Sequence, residues 1–403
     1  MRIENLALIF VFFPYVGFIK GIDLQPFYLV ILMVIFTTNL LKGRILNKSK
    51  TLVFAILITL FLATLRYLFE YSFEYRGGNH NVFISCASHL LTGTLVVLLF
   101  PLLKDNISIK FLKSVTAVYI IVGLIQLFIN EKFLSFLVFR GYQDLLVTSR
   151  GMRSLSSEPS VLSYTLIILN ALYIFKLSEE KKITTKVILR ASSVFVLANI
   201  VISQSLFGIF IHILPFLYYL LRRKVLLFFL TFTVGYYAFL KLLTLDLDFR
   251  SINLIKALAN NPESLLIEGA MKKLFNIPIS ILTSLKFGLL GSGFLDVKMI
   301  NLNLEIFPKF PMNFEVGNKN SGGLIELFLQ IGFLSIFLFF TIGRKFISLL
   351  RHKNNISLLL ILVWIVTGFS YNSYGNPMHW ILLSFIFNIQ SNNFEKRNSY
   401  SMQ

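Results

Sequence analysis

The chain has 403 residues, of which 56% are hydrophobic and 14% charged. Water-soluble domains are roughly 25% charged, so this composition excludes an ordinary soluble fold. The net charge of +19 suggests a nucleic acid partner, which the distribution of that charge along the chain excludes, and the single cysteine, Cys86, rules out a disulfide framework or a Cys-based metal site.

The apolar residues form long runs without the alternation of a β-barrel strand. Lipid offers no partner to a bare peptide group, so runs of roughly 20 apolar residues become helices. In chain order, spans are expected at 5–20, 25–41, 51–69, 82–103, 111–130, 159–176, 187–203, 205–221, 225–242, 322–343, 356–371 and 375–390. This pattern predicts an all-α polytopic membrane protein of about 12 transmembrane helices. The first run follows Arg2, is interrupted by Pro14 and superficially looks like a signal peptide. No small-residue cleavage site follows it, so it reads as an uncleaved span. Around Ser203 and Gln204 the chain forms either a hairpin between two spans or a break in one long helix.

Basic residues set the orientation. Lys42, Arg44, Lys48 and Lys50 share one loop, and Lys104, Lys110 and Lys113 fall in the next loop but one. Lys176 to Arg190, Arg222 to Lys224, and Arg344 to Lys353 continue the alternation. Every second loop is basic and therefore cytoplasmic, as are both termini. The cytoplasmic segments hold 22 Lys and Arg against 5 Asp and Glu, whereas the external ones hold 16 against 14. The partner of this basicity is the anionic inner leaflet of the lipid bilayer, not nucleic acid. The organisation is then residues 1–243 as nine helices with an Arg-rich external loop at 130–158, residues 244–321 as one large external loop, and residues 322–403 as three helices and a cytoplasmic tail. The cytoplasmic loops are short and hold no GxxxxGK[ST] phosphate loop, which argues against ATP-driven transport by this chain alone.

The external segments carry the candidate chemistry. Arg140, Asp144, Arg150, Arg153 and Glu158 precede the sixth span, in a run ending Glu158-Pro159-Ser160. One reading is structural: Ser157 or Glu158 caps the helix and Pro159 occupies its first turn. The other is that the guanidiniums recognise phosphate, because the planar fork of arginine grips oxygens bidentately. In the large loop, Asp246 and Asp248 suggest a divalent metal, but no third ligand is evident and no metal is expected. Arg250 is the only arginine of that loop. Gly288 to Phe294 holds a Gly-x-x-Gly-x-Gly run with no preceding strand, read as close packing rather than phosphate binding. His379, beside Trp380 at the start of the last span, is either an interfacial residue or a proton acceptor facing a cavity. His89 and His212 lie within spans and read as helix-to-helix hydrogen-bonding groups.

Taken in order, these features resemble the Wzy-type oligosaccharide repeat-unit polymerases, a superfamily shared with the O-antigen ligases. The residues that carry the resemblance are Arg150, Arg153 and Glu158-Pro159-Ser160, then Ser203, Ser205 and Arg250. Leu289-Leu290-Gly291-Ser292-Gly293-Phe294 follows, and Asn320 through Gly332 closes the large loop. Ligases usually place His-Asn before the span that follows this loop, where this chain has Lys319-Asn320, which favours a polymerase. The resemblance implies a GT-C-like arrangement in the bacterial inner membrane and a metal-independent, inverting glycosyl transfer on its external face. The implied substrate is an oligosaccharide on undecaprenyl pyrophosphate; a chain-length regulator and a flippase are the implied partners, and no cofactor is needed. Arg140, Arg150, Arg153 and Arg250 would hold the pyrophosphate, with Glu158 or His379 as proton acceptor. The alternatives are an O-antigen ligase and a flippase for the same lipid-linked sugar.

Overall fold

The computed structural model describes residues 3–17, 19, 24–42, 50–72, 80–138, 152–180, 185–204, 233, 237, 241, 289–291, 293–294, 324–351, 355–370 and 375–389. The described residues are helical, with no strand among them. The helices are α1 (Ile3–Phe12), α2 (Phe27–Leu41), α3 (Lys50–Ser72), α4 (His80–Lys104), α5 (Ile109–Phe128), α6 (Pro159–Glu179), α7 (Thr185–Ala198), α8 (Leu324–Ile331), α9 (Ile336–Arg351), α10 (Asn355–Ser370) and α11 (Pro377–Asn388).

Among the described residues, five segments are long and apolar enough to cross a membrane: Lys50–Glu70, His80–Lys104, Ile109–Phe128, Pro159–Glu179 and Gly332–Arg351. Ile3–Phe12, Phe27–Leu41, Arg190–Ser203 and Ile356–Gly368 are shorter apolar helices. The expected spans at 205–221 and 225–242 lie outside the described residues apart from three isolated positions, and so does most of the 244–321 loop. Two expected spans come out differently. The first ends at Phe12 rather than near residue 20, because Pro14 lacks an N–H and cannot continue the ladder. The tenth, expected as one helix over 322–343, is broken at Gly332, which has a φ of +54°. A 3-10 turn at Gly332–Ser335 separates α8 from α9.

Outward-facing side chains are as apolar as inward ones. On α9 the buried stripe is Leu338, Ile342, Phe346 and Leu349. Its opposite face exposes Ile336, Phe337, Phe340 and Ile347. A helix apolar all round is a core or membrane helix. On α5 the buried stripe instead contains Tyr119 and Gln126, while Val118, Ile121 and Phe128 face outward. Polar groups turned inward and apolar ones outward are what a lipid solvent demands.

The contacts divide the chain into two compact units that interleave along the sequence. The first comprises Met1–Ile31, Leu103–Leu265 and His352–Trp364. In it α6 packs against α5 and α7 and is buried at every position from Val161 to Leu172. The second comprises Leu32–Leu102, Leu266–Arg351 and Ile365–Gln403. In it α9 packs along α3, and α11 is buried at every position from Pro377 to Ile386.

Candidate functional site

In the first unit, the residues leading into α6 form a tightly held turn. Met152 donates its N–H to the carbonyl of Ile202 at 2.7 Å. That carbonyl sits in the π-helical turn Asn199–Ser203, which ends α7 and is closed by Gln204 at a φ of +47°. Ser154 has a φ of +53°, a region that residues other than glycine rarely occupy. Its hydroxyl donates to the Tyr119 carbonyl at 2.6 Å. Its N–H donates to Gln126 Oε1 at 2.8 Å, and its carbonyl accepts from Gln126 Nε2 at 3.2 Å. Ser156 N–H then closes a turn onto the Arg153 carbonyl at 3.0 Å. Ser154, Leu155, Ser156 and Ser157 are buried, whereas Arg153 and Glu158 at the two ends of this run are partly exposed.

Glu158 is the cap residue of α6, with extended backbone, and Pro159 occupies the first turn, as the sequence predicts. The carboxylate makes no side-chain cap bond to the helix, and instead accepts from the Ser160 hydroxyl at 3.4 Å. Below this start, Ser163 and Ser203 share a hydrogen bond at 2.9 Å, tying α6 to the end of α7. Arg140, Arg150 and Arg250 lie outside the described residues, as do Asp144, Asp246 and Asp248. Of the predicted pyrophosphate-binding set, Arg153 is the member whose surroundings are described.

The second unit holds a cluster that reasoning from the sequence missed. Glu70, at the end of α3, forms an ion pair with Arg66, with Nε 2.7 Å from Oε1, and accepts from the Phe294 N–H at 3.1 Å. Gly293 has a φ of +72°, and a Cβ there would fall within the Glu70 carboxylate. Its N–H donates to the Gln330 carbonyl at 3.0 Å, and the Gln330 side chain donates to Glu326 at 3.3 Å. Phe333 N–H donates to the Leu289 carbonyl at 2.9 Å. Phe294 is buried edge-on against Phe83 and Tyr67, whose rings stack on each other 4.0 Å apart. The hydroxyl of that Tyr67 is bonded to His80 Nδ1. The described part of the glycine run is therefore close packing, as its lack of a preceding strand suggests. For its anchor, Glu70, the sequence holds a signal only for the Arg66 pairing, one helical turn away, and none for the contact with Phe294.

His379 lies inside the second unit, out of contact with the surroundings of that unit. It is buried on α11 with Nδ1 3.3 Å from the Thr367 hydroxyl of α10, and a Cβ on Gly368 would come within 2.9 Å of its ring. Trp380 is likewise buried, against Gly93 of α4, rather than lying in an aromatic belt. The reason is the absence of side chains at Gly93 and Gly368, which lets large rings enter the helix contacts. His89 is 3.4 Å from the Ser85 hydroxyl, one turn earlier on its own helix, and packs against Gly375, so the described bond lies within α4 rather than between helices; His212 lies outside the described residues.

Among the described residues, these elements define a helical protein with five segments long and apolar enough to cross a membrane, and with polar contacts at helix ends and between helices. Comparison with protein-family models, with curated proteins and with solved structures finds no match.

Proposed function

We propose that this protein is an inverting glycosyltransferase that joins undecaprenyl-pyrophosphate-linked oligosaccharide repeat units on the external face of the bacterial inner membrane. The twelve spans, the GT-C-like arrangement with its large external loop at 244–321, and cytoplasmic termini belong to this reading. The observation that carries it is the turn before α6, where Arg153 and Glu158 flank a buried, hydrogen-bonded serine run. Transferring a sugar from pyrophosphate asks mainly for fixed positive charge where the leaving group gains negative charge. A cation on a backbone held from both sides meets that demand without reorganising during the reaction.

In this reading, a hydroxyl of the acceptor sugar attacks the anomeric carbon of the donor. The bond from that carbon to the pyrophosphate oxygen breaks, and its electron pair leaves with undecaprenyl pyrophosphate. Glu158 takes the hydroxyl proton. Arg153, with Arg140, Arg150 and Arg250, neutralises the departing pyrophosphate. Glu158 is partly exposed whereas His379 on α11 is buried beside Thr367 of α10, which favours Glu158 over His379 as the acceptor.

The test is the surface glycan of a strain lacking this gene. Loss of long chains, with single repeat units still on the lipid A core, supports the polymerase. Unsubstituted core with polymer accumulating on undecaprenyl pyrophosphate indicates a ligase. Unsubstituted core with single units held on the inner leaflet indicates a flippase. Arg153→Ala, at wild-type protein level, is expected to abolish long chains, and near-normal polymer from it would sink the assigned role.

A further inference from the structure

We propose that Gln126 of α5 is a positioning residue that holds Arg153 at the site, an inference that rests on the transferase reading above. Gln126 is buried, and an apolar side chain at that place would satisfy helix packing alone. Its amide instead meets three main-chain groups. Oε1 accepts from Ser154 N–H at 2.8 Å, and Nε2 donates to the Ser154 carbonyl at 3.2 Å and the Phe133 carbonyl at 2.9 Å. Both peptide groups of Ser154 are thereby taken up by one side chain, much as a neighbouring strand would take them.

The arrangement brackets Arg153. On one side, Met152 is fixed by the Ile202 carbonyl at the end of α7. On the other, Ser154 is fixed by Gln126 and, through its hydroxyl, by the Tyr119 carbonyl two turns earlier on the same helix. The left-handed φ of Ser154 is unfavourable by itself and persists where surrounding bonds over-determine it. Three bonds from α5 do so here. Backbone distortion stored next to a charged side chain is what aims that side chain, and the one charged residue adjoining Ser154 is Arg153.

The experiment uses the full chain in bilayer discs, with undecaprenyl pyrophosphate as the probe lipid. Gln126→Glu keeps the shape but turns the Nε2 donor into an acceptor facing two carbonyls. It is expected to weaken probe binding roughly tenfold, as expected when a buried polar contact is broken. Arg153→Ala should weaken it at least as much, and the double variant should bind no worse than Arg153→Ala. That non-additivity is what acting through Arg153 means, and a merely structural role would not produce it. Hydrogen exchange provides a second readout: the Ser154 amide should exchange faster in Gln126→Glu while the amides of α6 keep their protection. If Gln126→Glu does not accumulate, Gln126→Met takes its place. It keeps the length of the side chain, removes all three bonds to the main chain without adding a charge, and is expected to weaken binding to a similar degree, again not additively with Arg153→Ala. Additive losses, or full affinity alongside a weakened Arg153→Ala, overturn the role of Gln126 and leave the transferase reading standing. A wild-type protein that does not retain the probe lipid overturns the transferase reading and the positioning role with it.

Discussion

Single residues in this protein are constrained most where the backbone leaves the helix. Gly293 accepts a φ of +72° and lies against the Glu70 carboxylate. Gly293→Ala adds a methyl group where an oxygen already sits, in a conformation that L-residues resist, and is expected to cost about 2–3 kcal/mol. Gly343, inside α9, has nothing within 4 Å of the place a Cβ would take. Gly343→Ala should therefore be neutral or stabilise by up to about 1 kcal/mol through helix propensity. Thermal unfolding of the two variants side by side in detergent checks the contrast, and equal midpoints would contradict it. At Glu70 the carboxylate serves both an arginine and a main-chain N–H. Glu70→Ala leaves the Arg66 guanidinium without its partner and is expected to cost about 3 kcal/mol. Glu70→Gln keeps an acceptor for Phe294 and should cost clearly less, as the same melts would report. The sequence made Arg153 and Glu158 visible as charges next to a helix start. It did not make Gln126 visible, nor the bond from Glu70 to Phe294, because those partners are main-chain groups, and any residue type carries those.

At the level of elements, the period of the apolar runs located the helices well and their interruptions less well. The start of α6 was legible from Glu158-Pro159, because a missing proline N–H costs nothing in a first turn. The early end of α1 was also legible in retrospect, at Pro14. The break between α8 and α9 was not, since a lone glycine in an apolar run is as compatible with a straight helix. Gly332 is bent because the Leu289 carbonyl occupies the space beside it and takes the Phe333 N–H. The contact between α6 and the end of α7 includes a serine pair, Ser163 and Ser203. Hydrogen bonds between membrane helices are individually modest, so Ser163→Ala should lower stability by about 0.6–1.7 kcal/mol. Ser163→Leu should cost more, because it also overfills a helix buried on all sides. Unfolding in mixed micelles distinguishes the two, and a tolerated leucine would show that the contact is not packed as described.

For the whole molecule, the alternation of basic loops predicts topology, and the buried Cys86 supplies a silent background for testing it. A membrane-impermeant maleimide applied to intact cells should label Ser149→Cys and Ser251→Cys and leave Ser49→Cys unlabelled until the cells are opened. The reverse pattern would invert the orientation and remove the external site. The sequence by itself determined that the chain is helical and carries runs apolar enough for lipid, because an apolar run must satisfy its own backbone wherever water is absent. It also determined where charge is concentrated, since that is a matter of counting. Only the tertiary structure decided which polar groups meet. Glu70 and Phe294 are 224 residues apart, and Gln126 and Ser154 are 28 residues apart. Pairings at such separations are set by helix packing and by small residues that let backbones approach, and neither leaves a periodic trace along the chain.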